Sequence, residues 1–121
     1  MADLSGVWLG TYWQRKKPVR FEMTLVQGGN SLSGRVLDDN YLGSALLAGK
    51  VSGRSVNFSK TYITASRHSV NYTGTISEDG KRMKGEWRIS LFSGNWEAQR
   101  SDEELSVKQI TRRVEKVPGA I

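Results

Sequence analysis

Residues 83–90, Met83-Lys84-Gly85-Glu86-Trp87-Arg88-Ile89-Ser90, alternate apolar and polar side chains as a half-buried β-strand does, yet they place Gly85 on the apolar phase. Glycine packs nothing there and costs backbone entropy, so an isolated case would weaken the strand assignment. It is not isolated. Trp8-x-Gly10-x-Tyr12, Leu32-x-Gly34-x-Val36, Leu47-x-Gly49-x-Val51 and Tyr72-x-Gly74-x-Ile76 repeat the arrangement, with a large apolar side chain two residues away on either side of the glycine. Recurrence of this kind is expected where strands coil tightly and inward side chains are crowded, which is the interior of a small closed barrel. A further match, Phe92-x-Gly94-x-Trp96, is assigned instead to a turn at Gly94-Asn95.

Outward from this stretch, period-two alternation bounded by turn residues predicts eight strands, at 6–13, 19–27, 31–37, 45–51, 55–63, 69–77, 82–91 and 95–100. Gly28-Gly29-Asn30, Gly53-Arg54 and Glu78-Asp79-Gly80 read as hairpin loops, so consecutive strands pair antiparallel. The predicted fold is all-β: an eight-stranded antiparallel up-and-down barrel over 1–100, closed so that no edge strand is left open. Ser101-Asp102-Glu103-Glu104 has the form of a capping box and predicts a C-terminal helix to about Lys116, with Val107, Ile110, Val114 and Val117 on one face and Pro118-Gly119 ending it. Residues 101–121 are thus expected to dock on or flank the barrel, with a solvated basic tail as the alternative. Apolar side chains on the outward phase (Val7, Leu9, Trp13, Val26) either seat that helix or form a homodimer contact.

The chain has 121 residues, enough for one core and not two. It has no cysteine, hence no disulfide framework and no thiolate chemistry. The N-terminal MADLSGVWLG shows no basic leader followed by an apolar run, and no segment is long enough to span a bilayer, so a cytoplasmic protein without a membrane partner is expected. The net charge of +6 favours anionic partners of several kinds.

Gly6-Val7-Trp8 on the first strand and Arg100 at the end of the last resemble the signature of the calycins, the group of lipocalins, fatty-acid-binding proteins and avidins. The resemblance implies that Trp8 and Arg100 form a structural plug at one end of the barrel, a guanidinium lying over an indole face. LSGRVLDDNYLGSALLAGKV, NFSKTY, VNYTG and GEWRI are similar to the third to seventh strands of avidins, and the resemblance covers roughly residues 5–100. The biotin-holding residues do not carry over: Gly10, Gln14 and Val36 stand where the family has polar groups, and Phe58 and Tyr72 where it has tryptophans, while Trp87 matches. Biotin is therefore not the expected ligand.

In an antiparallel meander, the loops after the odd-numbered strands gather at the end opposite Trp8. That mouth brings together Arg15-Lys16-Lys17, Asp38-Asp39-Asn40-Tyr41 and Arg67-His68. Below it, Tyr12, Lys60, Tyr62 and Tyr72 present polar groups among the walls of Phe58, Trp87 and Trp96. Lys60 is the sharpest residue, because the phase that buries Phe58 also turns its ammonium inward, where an unpaired charge costs several kcal/mol. A ligand anion would resolve that cost; a β-bulge or a snorkelling stem would avoid it. Asp38-Asp39-Asn40 reads as a turn or lid, and His68 as a loop residue at the rim without an evident carboxylate partner.

The expected ligand-binding residues are therefore Tyr12, Tyr41, Phe58, Lys60, Tyr62, His68, Tyr72, Trp87 and Trp96, for a small anionic or amphipathic molecule. No nucleophile elbow, phosphate loop or zinc-protease motif is present, so no catalytic residue, metal or cofactor is assigned. Two other function classes stay open. One is a structural or protein-interaction module whose lumen is filled by its own side chains. The other is a nucleic-acid binder using the basic surplus, which the inward placement of the aromatics disfavours.

Overall fold

The computed structural model describes residues 3–40, 42–63 and 68–101. The helix predicted after Ser101 lies outside the described residues, as does Tyr41. Eight strands follow in order: β1 (Gly6–Gln14), β2 (Lys17–Gly28), β3 (Ser31–Asp38), β4 (Ser44–Ser52), β5 (Ser55–Tyr62), β6 (Ser69–Ile76), β7 (Arg82–Ile89) and β8 (Phe92–Arg100). Each pairs antiparallel with its neighbours in sequence, and β8 closes on β1 from Trp8 opposite Arg100 to Tyr12 opposite Trp96. This closed eight-stranded barrel is compatible with a calycin-like architecture.

The apolar phase of every strand faces the axis. Trp8, Tyr12, Phe21, Met23, Leu25, Leu32, Val36, Leu47, Val51, Phe58, Tyr72, Ile76, Met83, Trp87, Trp96 and Ala98 are all buried, and Ile89 at the end of β7 is half-buried. The glycines sit where backbones converge. Gly74 and Gly85 are register partners on β6 and β7, and a Cβ on Gly85 would lie 1.8 Å from the Thr73 carbonyl oxygen. At Gly10 the vacated space is taken by the Phe21 ring, 2.3 Å from where a Cβ would stand.

The Gly94 assignment needs correction. Ile89 pairs with Phe92, so the last hairpin turns at Ser90-Leu91, where Ser90 has a φ of 51° and Leu91 is 93% exposed. Gly94 lies within β8, and its missing Cβ makes room for the Trp87 indole and the Trp13 carbonyl. Phe92-x-Gly94-x-Trp96 is thus another copy of the repeated pattern. A serine in the left-handed region carries no sequence signal as strong as Gly-Asn, so the sequence favours the wrong position for this turn.

One end of the barrel is closed. Leu4 and Trp8 are fully buried there, and the Trp8 indole N–H donates to the Leu4 carbonyl at 2.9 Å. The Arg100 guanidinium lies 4.7 Å above the Trp8 ring and donates to the Ser5 and Asp3 carbonyls at 2.7 and 2.5 Å. Among the described residues, no helix is long and apolar enough to cross a membrane.

Candidate functional site

The opposite half of the lumen contains the only buried charges among the described residues, Asp38 and Lys60. Lys60 is the sixth residue of β5 and pairs with Leu47 and Val70 in unbroken registers. No bulge turns it outward, and its ammonium points inward with Phe58 and Tyr62. Asp38 closes β3 two residues beyond Val36, on the same inward phase.

Lys60 Nζ lies 3.1 Å from Asp38 Oδ2 and 3.3 Å from Oδ1, with the two residues 2% and 3% exposed. The chain thus supplies the counter-ion expected from a ligand, and Asp38 is not a rim or lid residue. The signal was present in the sequence: Leu32, Gly34, Val36 and Asp38 continue one period-two series, which the adjoining acidic turn disguised.

Around the pair the polar groups are satisfied. The Tyr12 hydroxyl donates to Asp38 Oδ2 at 3.0 Å, the Tyr62 hydroxyl makes a short bond to the same oxygen, and Asn40 Nδ2 donates to Tyr12 Oη at 3.1 Å. Asn40 itself is fixed by the Leu42 N–H on its Oδ1. The ammonium also sits among ring faces, 4.5 Å from the centre of Tyr12, 4.9 Å from Tyr62, 5.0 Å from Tyr72 and 6.0 Å from Phe21. Burial pushes the Lys60 ammonium down to about 8, against the opposing pull of Asp38. Burial, reinforced by the Asp38 charge, pushes the Tyr12 hydroxyl up to about 12 and raises Tyr62 and Tyr72 as well. The tyrosines therefore remain donors across the neutral range.

Apart from Tyr41, which lies outside the described residues, the other predicted residues join this cluster through their rings. The His68 ring is 4.8 Å from that of Tyr62, and Trp87 meets Tyr12 edge-on at 6.4 Å. Phe58 stacks on Tyr72 at 4.9 Å, and Trp96 closes against both at 5.6 Å. Two indole donors are bonded to backbone, Trp87 to Trp13 O and Trp96 to Thr73 O, each at 3.0 Å. Trp8 and Arg100 are apart from this group, at the closed end. Asp38 and Asn40 complete the cluster and were not assigned to it from sequence.

Chemically, the arrangement is a neutral ion pair ringed by hydroxyl donors and aromatic faces. Among the described residues, no group of three or more acidic or histidine side chains is placed to hold a metal ion. The sequence matches no protein-family model, and no curated protein matches it.

Proposed function

We infer that the protein is a small-molecule carrier or sensor of calycin type, and that an anionic or amphipathic ligand is held at the mouth half of the lumen over the Asp38–Lys60–Tyr12–Tyr62 cluster. One observation carries this reading: a buried ion pair with converging hydroxyls occupies a position where apolar side chains of similar volume would commonly be neutral or more stabilising. Polar convergence inside an aromatic-walled barrel, with strongly perturbed titrations, is the usual mark of a binding site. Because Asp38 neutralises Lys60, the ligand's polar group would share the ammonium or exchange hydrogen bonds with Tyr12 and Tyr62. Its ring or alkyl body would lie against Trp87 and His68, and the exposed Arg15, Lys16 and Lys17 at the rim would favour a negative charge. A cytoplasmic location belongs to the same proposal and is supported by the cysteine-free composition.

A second reading, a structural or interaction module, is favoured by the interlocked rings of Phe58, Tyr72 and Trp96, which fill the lumen beside the ion pair. A thermal-shift screen of aromatic and aliphatic carboxylates, phenols and amines on wild type and Lys60→Met separates the two. Stabilisation of wild type that the variant loses supports the lumen site. Equal shifts in both proteins place binding elsewhere, and no shift with any compound supports the filled module.

A further inference from the structure

The β7–β8 hairpin turns at Ser90-Leu91, and its tip is apolar where turn tips are usually polar: Leu91 is 93% exposed and Phe92 58%. A lone exposed hydrophobe is ordinary, but this pair has a charged neighbour. β8 and β1 are adjacent in the closed sheet, and Arg15 and Lys16 of the β1–β2 turn share a surface groove with Ser93, Gly94 and Asn95. Gln14 pairs with Lys17, so the turn is a tight one that leaves Arg15, Lys16 and Lys17 exposed. Residues 13–20 and 87–95 together carry Arg15, Lys16, Lys17, Arg20 and Arg88, and neither segment contains an acidic residue. Asp39 is the one exposed carboxylate on the mouth turns among the described residues. At the closed end the charges are mixed, with Arg54 paired to Glu78 and Asp79 accepting from the Lys81 N–H.

We propose that the mouth end of the barrel docks on an anionic bilayer surface, with the Leu91-Phe92 tip in the boundary between headgroups and acyl chains and Arg15, Lys16 and Lys17 against the lipid phosphates. Shape favours a bilayer over other anionic partners. A protruding two-residue tip inserts into a deformable interface, whereas a specific protein contact takes roughly 800 Å² from each partner. A leucine at the point of contact offers a nucleic acid neither stacking nor a hydrogen bond. Charge completes the argument, because one small apolar anchor holds only marginally and the neighbouring cations supply the second source of attraction. The expectation of no membrane partner rests on the lack of a spanning segment, and a peripheral contact needs none. An anionic cytoplasmic leaflet would suit the location proposed above. The contact is independent of what the lumen holds.

The test is flotation of the full chain with vesicles of phosphatidylcholine containing about one-third phosphatidylserine, and with phosphatidylcholine alone. Wild type should float with the mixed vesicles and not with the neutral ones. Leu91→Ser should weaken the partition ~10-fold, and Leu91→Trp should preserve it. Arg15→Asn with Lys16→Gly should weaken it ~25-fold, about fivefold for each charge removed. All of these are exposed turn positions, and a near-ultraviolet circular dichroism spectrum like that of wild type verifies that each variant keeps the barrel. Absence of wild-type flotation, equal flotation with neutral vesicles, or Leu91→Ser floating like wild type overturns the proposal. Stronger binding to a single-stranded oligonucleotide at equal phosphate concentration overturns it in favour of a nucleic-acid partner. A dimer that Leu91→Ser dissociates also overturns it, because the tip would then be a contact between copies of the chain.

Discussion

Asp38→Asn is the most informative perturbation, because it removes one charge from the lumen while nearly preserving shape. At 3.1 Å the Lys60–Asp38 attraction is ~5 kcal/mol at an effective dielectric of 20. The ammonium would be left with the Tyr12, Tyr62 and Tyr72 faces, which cannot replace a carboxylate, so the expected loss is ~3–5 kcal/mol. Lys60→Met leaves the opposite charge, but Asp38 retains two tyrosine hydroxyl donors, and the expected loss is only ~1–3 kcal/mol. The double variant carries no buried charge and should be more stable than the sum of the single losses predicts, by at least ~2 kcal/mol. Urea unfolding followed by tryptophan fluorescence measures all four proteins, with Trp87 within the cluster as a reporter. Additivity within ~0.5 kcal/mol would refute the reasoning, since it would mean that the two charges do not hold each other in the lumen.

The native Lys60 ammonium, pushed down to about 8 from an ordinary 10.5, releases its proton before the unfolded chain does, so urea midpoints should rise from pH 8 to pH 10. Above pH 10 they should fall, because native Tyr12, near 12, keeps a proton that the unfolded chain loses; Lys60→Met should abolish the rise, and a flat wild-type profile would contradict the assignment. Gly85→Ala must force a methyl against the Thr73 carbonyl and should cost at least ~3 kcal/mol in the same assay, whereas Gly28→Ala, with open space around it, should change stability by under ~0.5 kcal/mol. The β1–β2 turn holds Arg15 and Lys16 at φ of 51° and 68°, so Arg15→Asn with Lys16→Gly should raise thermal stability by ~1–2 kcal/mol without altering the lumen cluster.

The barrel was legible because its signal is redundant. Each inward side chain is specified by its own strand's alternation, and glycine recurs wherever backbones converge, so even displacing Gly94 into a turn left the strand count and pairing intact. The last hairpin was less legible because Ser90 adopts a positive φ without the residue types that announce one. Lys60 was legible as a buried charge from phase alone. Its partner was not, because Asp38 and Lys60 are brought together by β4 standing between their strands, and the acidic run 38–39 offered a more local explanation. A pairing across a third strand leaves no trace in spacing; only the continued phase of β3 pointed to it.

The two ends of the barrel solve the same problem differently. At the closed end Arg100 lies over Trp8 and hands its donors to backbone carbonyls near the surface, so little charge has to be stripped of water. At the other end an ammonium and a carboxylate are both taken fully out of water, and three tyrosines and an asparagine are arranged around them. Closure alone asks for no such cluster, since the middle of the lumen is packed with apolar side chains. The polar cluster at the mouth half, set against aromatic faces, is thus the feature on which the proposed ligand site rests.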